Sequence, residues 1–199
     1  MPILITGTSR IGHFLAQKYS KDYTVFLSRT SSTIHTEKFH EFLDINNTQF
    51  LEHIFQSIPE IDWLILNAGI YFDMFEKISL EQYSHMIHTN LLSPLLLTKI
   101  LFPKIKKGVI GIGSYAGKKS LKYGTYAASK FGLRGFLLTL KNETPKKIHL
   151  INPKIVHTDF HAHAKIEIPP DIPKTDMHAI FDNIQNILQR KEHRFEIDI

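Results

Sequence analysis

The sequence predicts an α/β fold, a doubly wound parallel sheet of seven strands flanked by helices. Three observations carry this expectation. Short β-rich apolar runs alternate with longer segments of helical period, the pattern of parallel strands joined by covering helices. The 199 residues suit one domain and leave no room for a second, substrate-binding one. With 43% hydrophobic and 22% charged residues, the chain is ordinary globular material and too apolar to be disordered.

In chain order, the β-rich runs place strands at 3–6, 24–27, 41–44, 63–66, 109–112, 148–152 and 194–197. Helical periodicity and capping residues place helices at 11–20, 48–57 (capped by Asn46 or Asn47), 80–103, 123–142 and 176–190. The segment 29–40 is short and Ser/Thr-rich, which leaves one flank of the sheet thinly covered. Pro94 falls inside the third helix and should kink or divide it. That helix is apolar on more than one face, which points to a partner subunit. The stretch 167–175, with three prolines, reads as a linker.

The charge balance is +5, from 24 Lys and Arg against 19 Asp and Glu. The lysines occur in scattered pairs, so no nucleic-acid surface is expected. Cysteine is absent, which excludes disulfides, thiolate metal sites and cysteine nucleophiles, and suits a reducing cytoplasm. The first residues lack the basic leader and cleavage site of a secretory signal. The longest apolar run, around 91–97, is broken by Ser93 and Pro94 and is well short of the ~18 residues that a membrane span needs. A soluble cytoplasmic protein is expected.

The first strand ends in Thr6-Gly7-Thr8-Ser9-Arg10-Ile11-Gly12, directly before a helix. Glycine there lets the backbone turn sharply toward a pyrophosphate, with helix N-terminal amides facing its charge, as in a Rossmann-type domain. Taken alone, the segment fits a ligand-free strand-to-helix turn equally well. The second strand ends in Leu27-Ser28-Arg29-Thr30, where dinucleotide folds read the adenosine ribose: an acid selects the free hydroxyl, and an arginine a 2′-phosphate. Arg29, with Arg10 as a second cation, favours NADP(H) over NAD(H).

Further along, Tyr126-Ala127-Ala128-Ser129-Lys130 sets a tyrosine and a lysine on one helix face. A free phenol titrates near ~10, and a neighbouring ammonium stabilises the phenolate, so the pair can work as an acid and base.

These residues resemble the short-chain dehydrogenase/reductase family in its one-domain form. The resemblance runs in order over nearly the whole chain: the glycine turn, Asp44-Ile45, Leu66-Asn67-Ala68-Gly69, Asn90, Ser114, Tyr126 to Lys130, and Asn152-Pro153 with Val156 and Thr158. It implies that 1–199 forms one dinucleotide-binding catalytic domain for reversible carbonyl reduction and alcohol oxidation. Tyr126 would be the general acid in reduction. Ser114 would orient the reacting oxygen. Lys130 would tune Tyr126 and hold the nicotinamide ribose, and Asn90 would hold a water linking Lys130 to solvent. Gly7, Ser9, Arg10, Ile11 and Gly12 would face the phosphates, and Arg29 the 2′-phosphate. Asp44 and Ile45 would flank the adenine, and Asn67, Ala68 and Gly69 would line the cofactor. Pro153, Val156 and Thr158 would contact the carboxamide. A homodimer or homotetramer would form through the helix pair.

The sequence departs from the family's habit in places. Gly7 and Gly12 lie one position closer than usual, with Arg10 near the place of the middle glycine, and Lys154 replaces the glycine after Pro153. Ser114 and Tyr126 are also one position closer, and the segment after Thr158 is short. No metal is expected: His157, His161 and His163 have no carboxylate at ligand spacing. Tyr71, Phe72, Phe75, Tyr115 and Phe160 suggest a partly aromatic mouth. The rival expectations are an NADP(H)-binding regulator or sensor with little or no turnover, and a nucleotide-sugar epimerase or dehydratase, which generally needs an added C-terminal substrate domain.

Overall fold

The computed structural model describes residues 1–7, 10–19, 24–27, 40–41, 55–56, 58–119, 123–156 and 173–199; the stretches 24–27 and 40–41 are described by backbone alone. Strand β1 (Ile3–Thr6) runs into helix α1 (Ile11–Tyr19), followed by β2 (Thr24–Leu27), β3 (His40–Glu41) and β4 (Ile61–Leu66). Helix α2 (Leu80–Ile87) continues through a π-helical turn (His88–Leu92) into α3 (Ser93–Leu101). Then come β5 (Ile105–Ile112), α4 (Gly124–Glu143), β6 (Lys147–Asn152), β7 (Ile155–Val156), β8 (Lys174–Thr175), α5 (Met177–Leu188) and β9 (Glu196–Asp198).

One parallel sheet takes the order β3-β2-β1-β4-β5-β6-β9. The direction of winding reverses between β1 and β4, so a crevice opens there at the C-terminal ends of the strands, the usual ligand position in an open α/β sheet. Period-2 alternation sorts the side chains onto two faces. Leu4, Leu64, Leu66, Val109 and Leu150 pack with Leu97, Leu101, Leu133 and Leu137 of α3 and α4. Ile3, Ile5, Ile65, Ile110 and Ile151 pack with Leu15, Ala16, Ile180 and Ile184 of α1 and α5.

The helix expected over 80–103 is divided, and Pro94 supplies the reason. It has no N–H for the carbonyl of Asn90, and its ring crowds that carbonyl, so the regular ladder cannot continue. The turn widens over His88–Leu92, Ser93 N–H donates to the His88 carbonyl, and α3 restarts with Pro94 in its first turn. A capping box at Ser79 and Gln82 begins α2.

Strand β5 starts four residues before the expected 109–112. A register shift opposite Ile61–Trp63 swings Lys106 toward Glu60 (2.6 Å) and Lys107 toward Asp62 (2.8 Å), so the two lysines hide the alternation. The linker expected at 167–175 ends in a strand: Lys174 and Thr175 pair in parallel with Ile155 and Val156. The last strand lies at 196–198, two residues later at its start than expected. The segment 29–39, strand residues 42–44 and helix residues 48–54 lie outside the described residues. Among the described residues no helix is long and apolar enough to cross a membrane.

Candidate active site

Four strand ends converge on the crevice. At the end of β1, Gly7 takes a φ of +77°, the left-handed region that a side chain resists, and a Cβ there would sit 3.0 Å from the Ala68 Cα. Gly12 faces back onto this turn, where a Cβ would come within 1.8 Å of the Gly7 carbonyl oxygen. The two glycines therefore lock strand to helix at close approach. Arg10, near the place of the family's middle glycine, itself adopts φ +53°. Its carbonyl accepts from Phe14 N–H at 3.0 Å, and Ile11 opens α1.

The segment after β4 holds that turn in place. Asn67 Nδ2 donates to the carbonyls of Thr6 (3.0 Å) and Gly7 (3.3 Å), while the N–H groups of Asn67 and Ala68 donate to Thr6 Oγ1, each at 3.0 Å. Asn67 thus ties β4 to β1 across the point where the winding reverses.

Helix α4 sets Tyr126 and Lys130 one turn apart on its inner face. The phenol of Tyr126 is hydrogen-bonded by the Ser114 hydroxyl; burial pushes it up to about 12, and the Ser114 bond pulls the other way. Ser114 ends β5's extension, and its Oγ also accepts from Ala116 N–H at 3.2 Å. Lys130 is buried, donates from Nζ to the Ile112 carbonyl at 3.1 Å, and lies 5.8 Å from the centre of the Tyr126 ring. Burial brings its ammonium down to about 8.

Asn90 is fully buried in the π-helical turn. Its Oδ1 accepts from Ile70 N–H at 2.7 Å, and its Nδ2 donates to the Ile70 carbonyl (2.9 Å) and to Ser129 Oγ (3.1 Å). The Ser129 hydroxyl donates in turn to the Tyr126 carbonyl at 2.7 Å. Ser129 had no part in the sequence reading, although its place inside the Tyr126–Lys130 segment, three residues after Tyr126, puts it on the buried side of the same helix. Tyr71 stands edge-on to both Tyr126 (5.5 Å, 89°) and Tyr123 (5.3 Å, 85°), and burial pushes its phenol well above the ordinary tyrosine range.

Pro153 is buried after β6, and its carbonyl accepts from Tyr115 N–H at 3.0 Å, fastening the Ser114 turn to that loop. Val156 lies in β7 and packs into the sheet core. Lys154 needs no glycine-like backbone: it is not at positive φ, and its N–H donates to the Ile199 carbonyl (2.9 Å) and Thr175 Oγ1 (3.1 Å). Ser9, Arg29, Asp44, Ile45 and Thr158, with Phe160 and the histidines at 157, 161 and 163, lie outside the described residues.

A model of the short chain dehydrogenase family matches residues 2–168. The chain belongs to the short chain dehydrogenase family. It is therefore an oxidoreductase by family. Among curated relatives it is similar to the ketoacyl reductase HetN of Nostoc sp., at 29% identity over 92% of this chain and 75% of that protein. It is also similar to an NADP-dependent 3-hydroxy acid dehydrogenase of Schizosaccharomyces pombe, at 29% identity over 79% and 72% of the two chains. Its fold is shared with serine dehydrogenase in a closed, NADP+-complexed form, with a TM-score of 0.87 at 20% identity, covering 100% and 94% of the two chains.

Proposed function

We propose that the protein is an NADP(H)-dependent oxidoreductase, with 1–199 as one catalytic domain, that interconverts a small-molecule carbonyl and its alcohol. The observation that carries the reading is the Ser114 hydroxyl on the Tyr126 phenol with the Lys130 ammonium beside the same ring.

The crevice fits a dinucleotide. The left-handed Gly7 and the Gly7–Gly12 approach bring backbone to the N-terminus of α1, a site suited to a pyrophosphate. A Cβ at Gly69 would stand in ordinary contact with Lys130 Nζ (3.5 Å) and Asn90 Oδ1 (3.6 Å), which places this backbone directly beside both groups. Gly7, Ser9, Arg10, Ile11 and Gly12 would hold the phosphates, and Arg10 with Arg29 the 2′-phosphate. Asp44 and Ile45 would flank the adenine. Asn67, Ala68, Gly69, Pro153, Val156 and Thr158 would line the nicotinamide half. Bound NADPH supplies the hydride for carbonyl reduction.

In that reduction Tyr126 gives its proton to the substrate oxygen, since a phenol pushed up to about 12 is fully protonated at neutral pH. Ser114 hydrogen-bonds the same oxygen and orients it. The Lys130 ammonium stabilises the phenolate left behind and holds the ribose hydroxyls. Asn90 braces α4 through Ser129 and the segment after β4 through Ile70, beside the proposed water through which Lys130 is reprotonated. Leu92, Phe131 and Leu138 are about 40% exposed on the helix pair (41%, 42% and 40%), which supports assembly into a homodimer or homotetramer.

The test is Tyr126→Phe. Carbonyl reduction is expected to fall at least about 100-fold while NADPH binding, read by its fluorescence, is kept. Turnover surviving the change would overturn the proton-donor assignment. A second reading, a cofactor-binding sensor, draws on the shortened turn with Arg10 at φ +53°. NADPH binding with no turnover over a broad carbonyl and alcohol panel would select it.

A further inference from the structure

Three separate pieces of the proposed active site meet on the outermost strand, β9. From α4, Arg134 stands one turn beyond Lys130 and forms a bidentate pair with Glu196: Nε to Oε1 at 2.8 Å and Nη2 to Oε2 at 2.9 Å. From the end of β6, Asn152, next to Pro153, donates from Nδ2 to Glu196 Oε1 (2.7 Å) and Asp198 Oδ1 (3.2 Å). From the turn after Ser114, Lys118 Nζ reaches Asp198 Oδ2 at 2.7 Å and Glu196 at 3.6 Å. Glu196 and Asp198 are two apart on a strand, hence on one side of it, which lets a single edge gather all three.

The placement is not what surface solvation requires. Glu196 is only 17% exposed at its side chain and Asn152 is buried. A Cβ on Gly113 would lie 2.3 Å from Asn152 Oδ1, so the β5 extension is packed directly on the amide that the two carboxylates hold. Fork-to-carboxylate pairs fix direction as well as distance, because both N–H bonds must align at once. Sliding α4 along its axis or letting the Ser114 turn drift would break at least one of these bonds.

We propose that Glu196 and Asp198 form a positioning clamp for the reaction: they set the catalytic helix, the Ser114 turn and the Pro153 loop against one another and thereby hold Ser114 on Tyr126. The clamp touches neither substrate nor cofactor. It rests on the reading of Tyr126 and Ser114 as the reacting pair.

The experiment compares Glu196→Gln and Arg134→Met with Lys107→Met, which removes an ion pair of similar length (Lys107 to Asp62, 2.8 Å) at the opposite end of the sheet. Carbonyl-reduction kcat is expected to fall about tenfold in the two clamp variants, with NADPH dissociation constants unchanged, and to stay at the parent value in Lys107→Met. Arg134→Lys, which keeps the charge but not the fork, recovers part of the loss. A second readout needs no turnover: the 13Cζ resonance of Tyr126, assigned through Tyr126→Phe, reports the Ser114 hydrogen bond. It is expected to move in the clamp variants and to stay in place in Lys107→Met. An unmoved resonance overturns the clamp whether or not the protein reduces carbonyls. So does a kcat loss no larger than that of Lys107→Met, or one matched by weakened NADPH binding. A moved resonance in a protein without any carbonyl turnover upholds the clamp and overturns the reaction instead.

Discussion

Lys130 Nζ lies 5.8 Å from the centre of the Tyr126 ring, and the same burial moves the two groups in opposite directions: the phenol up to about 12, the ammonium down to about 8. At neutral pH the first keeps its proton and the second its charge, which is the state that the proposed reduction requires. Reduction is expected to hold level through neutrality and to decline as pH passes about 8, where Lys130 loses its charge. A kcat profile that stays flat to about pH 10 would count against this coupling.

The same ammonium is a liability for stability. Its pKa is about 8 in the folded chain against an ordinary 10.5, so between these values the unfolded chain binds more protons and stability rises with pH. Below pH 8 both forms are charged and the burial penalty is present in full, roughly 3 kcal/mol by linkage. Lys130→Met should therefore gain about 2 kcal/mol at neutral pH, after the lost bond to the Ile112 carbonyl, while abolishing turnover. The gain should vanish as pH rises past 10.5. Urea unfolding at both ends of that window reads it, and a variant less stable than the parent at neutral pH would refute the account.

Arg10 carries a conflict of another kind. Its φ of +53° costs a side chain about 1 kcal/mol that glycine escapes. Arg10→Gly is expected to leave thermal stability equal or higher and to weaken NADPH binding more than NADH binding. Equal affinity for the two cofactors in the parent would remove the 2′-phosphate assignment for Arg10 and Arg29 together.

At Gly12 no such compensation exists. A Cβ 1.8 Å from the Gly7 carbonyl oxygen must displace backbone held by Asn67 Nδ2, itself 2.9 Å from that Cβ. Gly12→Ala should cost about 3 kcal/mol or more and lose cofactor binding. A folded variant that binds NADPH like the parent would show that the turn has slack.

Some features were legible in the order of residues because they are local. The strand at 3–6 has the bounds its β-rich apolar run predicts, and the first helix starts at Ile11 as its periodicity predicts. The doubly wound parallel sheet was legible in the alternation of β-rich runs with segments of helical period. Pro94 announced the break in the long helix, since a missing N–H acts at a fixed distance along the chain. Other features stayed hidden. Lys106 and Lys107 masked the start of β5, because their partners Glu60 and Asp62 lie some 45 residues away. Lys154 looked like a departure with consequences, yet its backbone is ordinary and held by Thr175 and Ile199.

By itself, then, the sequence determined the alternation of strands and helices, the glycine turn and the helical spacing of Tyr126 and Lys130, all of which follow from short-range sterics and from the two periodicities of helix and strand. Only the tertiary structure decided what each polar group meets: that Ser114 reaches Tyr126, that Asn90 is committed to Ile70 and Ser129, and that Glu196 draws Arg134 and Asn152 together across the sheet's edge. Hydrogen bonds extend only about 3 Å, so their partners are fixed by packing and not by separation along the chain.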